Sequence, residues 1–172
     1  GSINDILNQP EDPGVRNLSI LRGETLAADI KRLFERVQKV QMDTNDRIRD
    51  AATDINGLLT DIADLNEKIV NMEGGVTKSD AVGLRDQRQR KLTELSELIG
   101  VRVVEQKNGS TSVFSGGEYL VLDGIARQVY ADEEPRNGGN FVEVKIVDFE
   151  SPLRTDTGKL AGLLNSRDDI LG

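Results

Sequence analysis

Residues 26–72 read LAADIKRLFERVQKVQMDTNDRIRDAATDINGLLTDIADLNEKIVNM, and the spacing of their apolar positions decides the fold. The line Leu26, Ile30, Leu33, Val37, Val40, Thr44, Ile48, Ala51, Ile55, Leu58, Ile62, Leu65, Ile69, Met72 advances in steps of four and three. That alternation is the a/d seam of a coiled-coil helix, and the other faces carry mostly Asp, Glu, Arg, Lys, Gln and Asn. Val40, Thr44 and Ile48 break it with two fours in succession, a stutter that locally relaxes a left-handed supercoil. Gly23 and Gly57 each weaken a helix by about 1 kcal/mol relative to Ala, but neither lies on the seam.

The flanks define where this helix starts and stops. Upstream, Asp12 suits an N-cap and Pro13 the first helical position, where a missing N–H costs nothing. The preceding INDILN reads as a short helical turn stopped by Pro10. Downstream, Gly74-Gly75 offers the left-handed C′ conformation that ends a helix. Ser79 or Asp80 then caps a second helix running to about Leu98 and stopping at Gly100, with the seam Ala81, Leu84, Arg88, Leu92, Leu95, Ile99. So short a loop makes the two helices antiparallel neighbours. At 1.5 Å per residue the first spans roughly 87 Å and the second roughly 30 Å. The second therefore covers only the stretch near 50–72, and the N-terminal half of the first keeps an apolar stripe that needs a partner from outside these helices.

After Gly100 the hydrophobic period changes to two. VRVVEQ and TSVF flank Asn108-Gly109, and EYLVL and IARQVY flank Asp123-Gly124, two hairpins with expected type I′ turns. Residues 131–140 (ADEEPRNGGN) read as a loop, FVEVKIVDF as a further strand, and GKLAGLLNSRDDIL as a closing helix. The expected class is α+β: a long antiparallel coiled-coil helical hairpin with a small antiparallel β-domain and a C-terminal return helix. The expected division is a helical stalk at 1–100, a β-domain at 101–157 and a return helix at 158–172 packing on the stalk.

Composition excludes much chemistry. The chain has no Cys, His or Trp, which removes thiolate and imidazole nucleophiles and bases and the ligands of soft-metal sites. The formal charge of −8 opposes general nucleic-acid binding, which needs a positive field over a whole face. No apolar run reaches the length of a membrane span. The acidic residues of the first helix and of the 132–134 cluster lack the spacing of a calcium loop. The glycine pairs 74–75, 116–117 and 138–139 lack the pattern of a phosphate cradle. The expectation is therefore no catalysis, no cofactor and no metal. The opening Gly1-Ser2 reads as a cloning remnant, so the chain is expected to be an internal fragment of a longer protein.

One cluster draws notice: LRDQRQRK at 84–91, with four cations in seven residues. Asp86 with Arg90, Arg90 with Glu94 and Lys91 with Glu94 stand at helical pairing distance, which favours an internally neutralised, solvated face over an anion site. Arg88 differs because it occupies the seam. A seam arginine requires a carboxylate or carbonyl partner, and polar seam residues fix register.

The stretch LRDQRQRKLTELSELIGVRVVEQKNG (84–109) resembles the flagellar hook-associated protein 1 family, whose members carry a similar Asp-Gln-Arg helix running through Gly-Val into a small domain. NQPEDPGVRNLSILRGETLA (8–27) is similar to that family's entry into its long helix, and GKLAGLLNSRDDIL (158–171) to its return helix. The sheet region 110–157 supports the resemblance least. The resemblance implies a structural adaptor between hook and filament and marks Asp86, Gln87 and Arg88 as structural residues. It implies export by the flagellar type III system to the extracellular flagellum. The implied partners are neighbouring copies in a ring, the hook protein and the second junction protein, with no nucleic acid and no membrane. Two other readings stay open: another axial flagellar protein, such as flagellin or the second junction protein, and a surface coiled-coil module whose β-domain captures a ligand.

Overall fold

The computed structural model describes residues 13–74, 81–136 and 139–171. Helix α1 runs Pro13–Gly74 and α2 Val82–Leu98, close to the bounds that the flanking residues set. Pro13 opens α1 as expected, whereas Asp12, the INDILN turn and the capping candidates Ser79 and Asp80 lie outside the described residues. Ala81 holds the N-cap position of α2 without a side-chain cap. The chain divides into two compact units at Met42 and Asp43.

In the second unit most of the seam positions are buried, Met72 at the end of α1 being exposed. Ile48, Ala51, Ile55, Leu58, Ile62, Leu65 and Ile69 of α1 are at most 8% exposed, as are Leu92, Leu95 and Ile99 from α2 and the turn after it. The buried arc of α1 is wider than a coiled-coil seam, because Asn45, Ala52, Leu59, Ala63 and Asn66 are buried beside it. That second stripe faces the β layer.

The β layer comprises two antiparallel sheets. Strands β1 (Arg102–Glu105), β2 (Thr111–Ser115), β3 (Glu118–Leu122) and β4 (Ile125–Ala126) pair in that order, and β5 (Val129–Arg136), β6 (Gly139–Ile146) and β7 (Ser151–Pro152) form the other sheet. Helix α3 (Gly158–Leu171) follows and packs on α2. Val113, Leu120, Val121, Val142, Val144, Ile146, Leu153 and Leu160 join the buried residues of α1 and α2 in one core. The class is α+β, as expected.

The sheets correct four local expectations. IARQVY is not one strand: it breaks at Arg127-Gln128, and its halves β4 and β5 belong to different sheets. Residues 131–140 are not a loop either. Apart from 137–138, which lie outside the described residues, they build the β5–β6 hairpin, in register from Val129↔Ile146 to Arg136↔Gly139. The polar string ADEEPR is tolerated because β5 is an edge strand, where a proline sacrifices no necessary ladder bond. Its carboxylates are also matched: Lys145 Nζ lies 2.6 Å from Asp132 Oδ2 and 2.8 Å from Glu134 Oε1, and Arg49 reaches Glu133.

The two turns differ from type I′ as well. Between β1 and β2 only Gly109 (φ 88°) is left-handed, and its N–H donates to the Gln106 carbonyl. This is a type I turn closed by a left-handed glycine, the three-residue hairpin connection. Between β3 and β4 only Asp123 (φ 52°) is left-handed, whereas type I′ requires two such residues.

Candidate functional site

The α2 register places Leu84, Arg88, Leu92 and Leu95 along the face turned to α1 and the sheets. Arg88 is 5% exposed there. Its Nη1 donates to Asn66 Oδ1 of α1 and to the Gly109 carbonyl of the β1–β2 turn, each at 2.8 Å. One guanidinium therefore joins two helices and a hairpin. Burial pulls the Arg88 pKa below the ordinary guanidinium value and the neighbouring Arg85 cation adds to this, while Glu105 and Glu73 act the other way. A guanidinium stays charged throughout the accessible pH range, so these contacts hold a buried cation.

Arg85, one turn earlier, completes the corner. Its Nε donates to Glu73 Oε1 at 2.7 Å, its Nη2 to Glu73 Oε2 at 2.6 Å, and its Nη1 to Glu105. The fork ties the last turn of α1 to the end of β1 in bidentate geometry. The hydrogen bond to Arg85 holds the Glu73 carboxyl below its ordinary range. Gly109 passes beneath this fork. The φ of 88° demands glycine, and a Cβ there would lie 2.7 Å from Glu73 Oε2 and 3.0 Å from Arg85 Nη2, side-chain tips that would have to shift out of the fork.

The other residues of 84–91 behave differently. Asp86 and Gln87 are exposed, Gln87 bordering a shallow groove with Asp61, Asp64, Lys68 and Arg90. The expected pairs Asp86–Arg90 and Arg90–Glu94 do not form, while Lys91 contacts Asp61 at 3.1 Å and Glu94 at 3.6 Å. The hydrogen bond to Asp61 raises the Lys91 pKa.

Sequence reasoning missed three asparagines that fix the β layer on α1. Asn45 Nδ2 donates to the Asn140 carbonyl (2.7 Å) and its Oδ1 accepts the Val142 N–H (3.3 Å). Asn56 takes both groups of Val129, donating to its carbonyl at 2.7 Å and accepting its N–H at 2.8 Å. Asn66 accepts the Thr111 N–H at 3.0 Å and donates to the Thr111 and Asp123 carbonyls at 2.8 and 2.7 Å. Their spacing, about three helical turns each, keeps them on one side of α1. An amide is suited to this because it presents one donor and one acceptor to a strand's peptide unit. The available signal was the pair of small residues Ala52 and Ala63 on the same stripe, which lets a backbone approach.

Arginines also clasp the sheets. The Arg127 guanidinium lies between the Tyr119 ring (3.4 Å) and the Phe149 ring (4.3 Å), beside Asp148 Oδ2 at 3.0 Å, and so joins β3 to the turn after β6. The buried Arg167 of α3 donates to the Val142 carbonyl and stacks 5.3 Å from Phe141.

The first unit presents the opposite picture. Leu18, Ile20, Leu21, Leu26, Ile30, Leu33, Phe34, Val40 and Met42 are 43–63% exposed. Polar groups between them pair locally, as Arg32 does with Asp29. Among the described residues no group of three or more carboxylates could hold a metal, and no helix is long and apolar enough to cross a membrane. The geometry is one of joints and an uncovered apolar face.

The chain is similar to known proteins in sequence and in fold. The family model of the flagellar hook-associated protein FlgK helical domain matches residues 1–172. Flagellar hook-associated protein 1 of Salmonella typhimurium is 28% identical over 176 residues, covering 99% of this chain and 32% of that protein. The Bacillus subtilis protein of the same name is 24% identical, covering 99% of this chain and 35% of its own length. The structure of the flagellar hook junction protein FlgK from Burkholderia pseudomallei matches with a TM-score of 0.78 at 28% identity, over 95% of this chain and 30% of that one. The chain thus spans about a third of the length of these relatives.

Proposed function

Because the chain belongs to the family of the flagellar hook-associated protein FlgK helical domain, we propose that it is part of a structural adaptor joining hook to filament in the bacterial flagellum. The observation that carries this reading is the apolar seam of α1 at Leu26, Ile30, Leu33 and Val40, which stays exposed while the seam from Ile48 to Ile69 is buried. A line of that length is an assembly surface. Neighbouring copies in a ring and other segments of the parent protein cover it. The second unit supplies rigidity: Arg88, Asn66 and Arg127 cross-brace helices and sheets, which suits a part that transmits load and turns over no substrate.

The remaining partners are the hook protein and the second junction protein, met in the extracellular flagellum after export by the type III apparatus. The division of labour follows the chain, with the stalk of 1–100 for assembly, the β-domain of 101–157 for bracing and the return helix of 158–172 for locking the two. Asp86, Gln87 and Arg88 act structurally, Arg88 from the inside, Gln87 from the groove and Asp86 from the exposed surface of α2. Deleting the parent gene and imaging hook–basal bodies tests the reading. Hooks without filaments support it, and filaments on those hooks overturn it.

A further inference from the structure

We propose that Asn108 is a site of spontaneous covalent modification, converted by the fold itself through a succinimide to aspartate and isoaspartate. The sequence holds Asn-Gly steps at 56–57, 108–109 and 137–138, and the first two lie among the described residues. Asn108 is exposed at the tip of the β1–β2 turn. Its Oδ1 accepts the Ser110 N–H at 3.0 Å and the Ser110 hydroxyl at 2.8 Å. Attack of the Gly109 nitrogen on Asn108 Cγ pushes negative charge onto that Oδ1. The Ser110 N–H aimed at the atom, together with the hydroxyl whose single proton Asp123 Oδ1 also attracts at 3.0 Å, stabilises the charge as it develops, which is the logic of an oxyanion hole. Glycine at 109 adds no Cβ to obstruct ring closure.

The step balances without an oxidant or reductant. The Gly109 N–H gives its proton to solvent base, the bond from that nitrogen to Cγ forms, and the bond from Cγ to Nδ2 breaks. Nδ2 leaves as ammonia after taking a proton. Water then opens one of the two imide bonds, giving aspartate or isoaspartate at 108.

Asn56-Gly57 is the internal control. Among the described residues its Oδ1 accepts the Val129 N–H alone, and its Nδ2 is committed to the Val129 carbonyl. Gly57 lies inside α1, where its N–H belongs to a continuous helical ladder, whereas the Gly109 N–H makes one turn bond, to the Gln106 carbonyl at 3.0 Å. The same dipeptide is thus presented in an exposed turn, where one bond must open, and inside a helix, where the ladder must open.

The position of Asn108 gives the modification a consequence. Isoaspartate inserts a methylene into the backbone next to Gly109, whose carbonyl is one of the two acceptors of Arg88. It also displaces a glycine that fits closely beneath Glu73 and Arg85. A new carboxylate at 108 stands near Asp123, which shares the Ser110 hydroxyl at 3.0 Å. The modified turn therefore loosens the corner that Arg88 holds.

The test is peptide mapping with isoaspartate detection on the 172-residue chain, aged at neutral pH in native buffer and in strong urea. The expected result is conversion at Asn108 faster in the native than in the unfolded chain, with Asn56 inert in the native chain. Ser110→Ala removes one donor and is expected to slow native conversion roughly two- to tenfold. Native conversion of Asn108 no faster than in urea, or no faster than that of Asn56, overturns the proposal. The urea comparison needs no variant, so it decides the matter even if Ser110→Ala fails to fold.

Discussion

Arg88→Leu is the most informative single change in this chain. The variant loses both Nη1 hydrogen bonds, to Asn66 Oδ1 and to the Gly109 carbonyl. Asn66 Oδ1 keeps the Thr111 N–H as a donor, so the heavier loss falls on Gly109, a buried residue. Leaving such a carbonyl without a donor costs about 1–3 kcal/mol, and a hydrogen bond from a charged donor contributes about 1.5–3 kcal/mol. Against this stands the relief of no longer burying a cation, since hydrophobic replacement of a complete buried ion pair is often neutral or stabilising. Here the replacement is incomplete, because the acceptors stay behind, and the net expectation is a loss of roughly 2 kcal/mol. For a chain of this size that corresponds to a fall in Tm of roughly 4–8 °C. A thermal melt followed by helical circular dichroism measures it, with Asp86→Ala and Gln87→Ala as exposed controls expected within about 0.5 kcal/mol of the parent. Engineered cysteine pairs across α1 and α2 then report whether the helix register has slipped. Arg88→Leu melting at or above the parent Tm, with unchanged cross-linking, refutes the reasoning.

Asn56→Ala removes two hydrogen bonds to Val129 and is expected to cost about 1–2 kcal/mol, read as a lowered urea midpoint. Asn56→Asp keeps the acceptor but sets a carboxylate against the Val129 carbonyl, and is expected to be no better than Ala by the same measurement. Two ionisable groups predict opposite pH behaviour. Glu73 has its folded pKa lowered by Arg85, so its contribution is present above the ordinary carboxylate value and is lost as pH falls through the folded one. Lys145 has its folded pKa raised by Asp132 and Glu134, so its contribution is present below the ordinary lysine value and lost as pH rises through the folded one. Urea midpoints across pH are therefore expected to lose part of their acid-side slope in Glu73→Gln and part of their alkaline-side slope in Lys145→Met.

Much of the fold was legible because burial on a helix imposes a period. The seam from Ile48 to Ile69, the α2 seam through Arg88 and the α3 stretch from Gly158 all follow from spacing alone. The β layer was harder. Strand β5 carries Asp132, Glu133, Glu134 and Pro135, composition that signals a loop, and only its edge position makes a strand of it. Arg127 hid a sheet boundary because a period of two runs on through it. The asparagine stripe was illegible for a related reason. Asn45, Asn56 and Asn66 resemble solvated positions until strands from 45 to 97 residues away supply backbone partners. Arg88 stood out because it interrupted an apolar seam, but nothing in the sequence named Asn66 and Gly109 as its acceptors.

The exposed seam of α1 at Leu26, Ile30 and Leu33 is the proposed assembly face. Replacing Leu26, Ile30 and Leu33 together by Ser in the full-length parent gene tests it directly. All three side chains are about 60% exposed, so the 172-residue chain is expected to melt within about 1 °C of the parent. Cells complemented with the variant are expected to export the protein yet carry hooks without filaments when imaged by electron microscopy. Filaments of normal number and length on those cells would contradict the claim that this face is where the protein assembles.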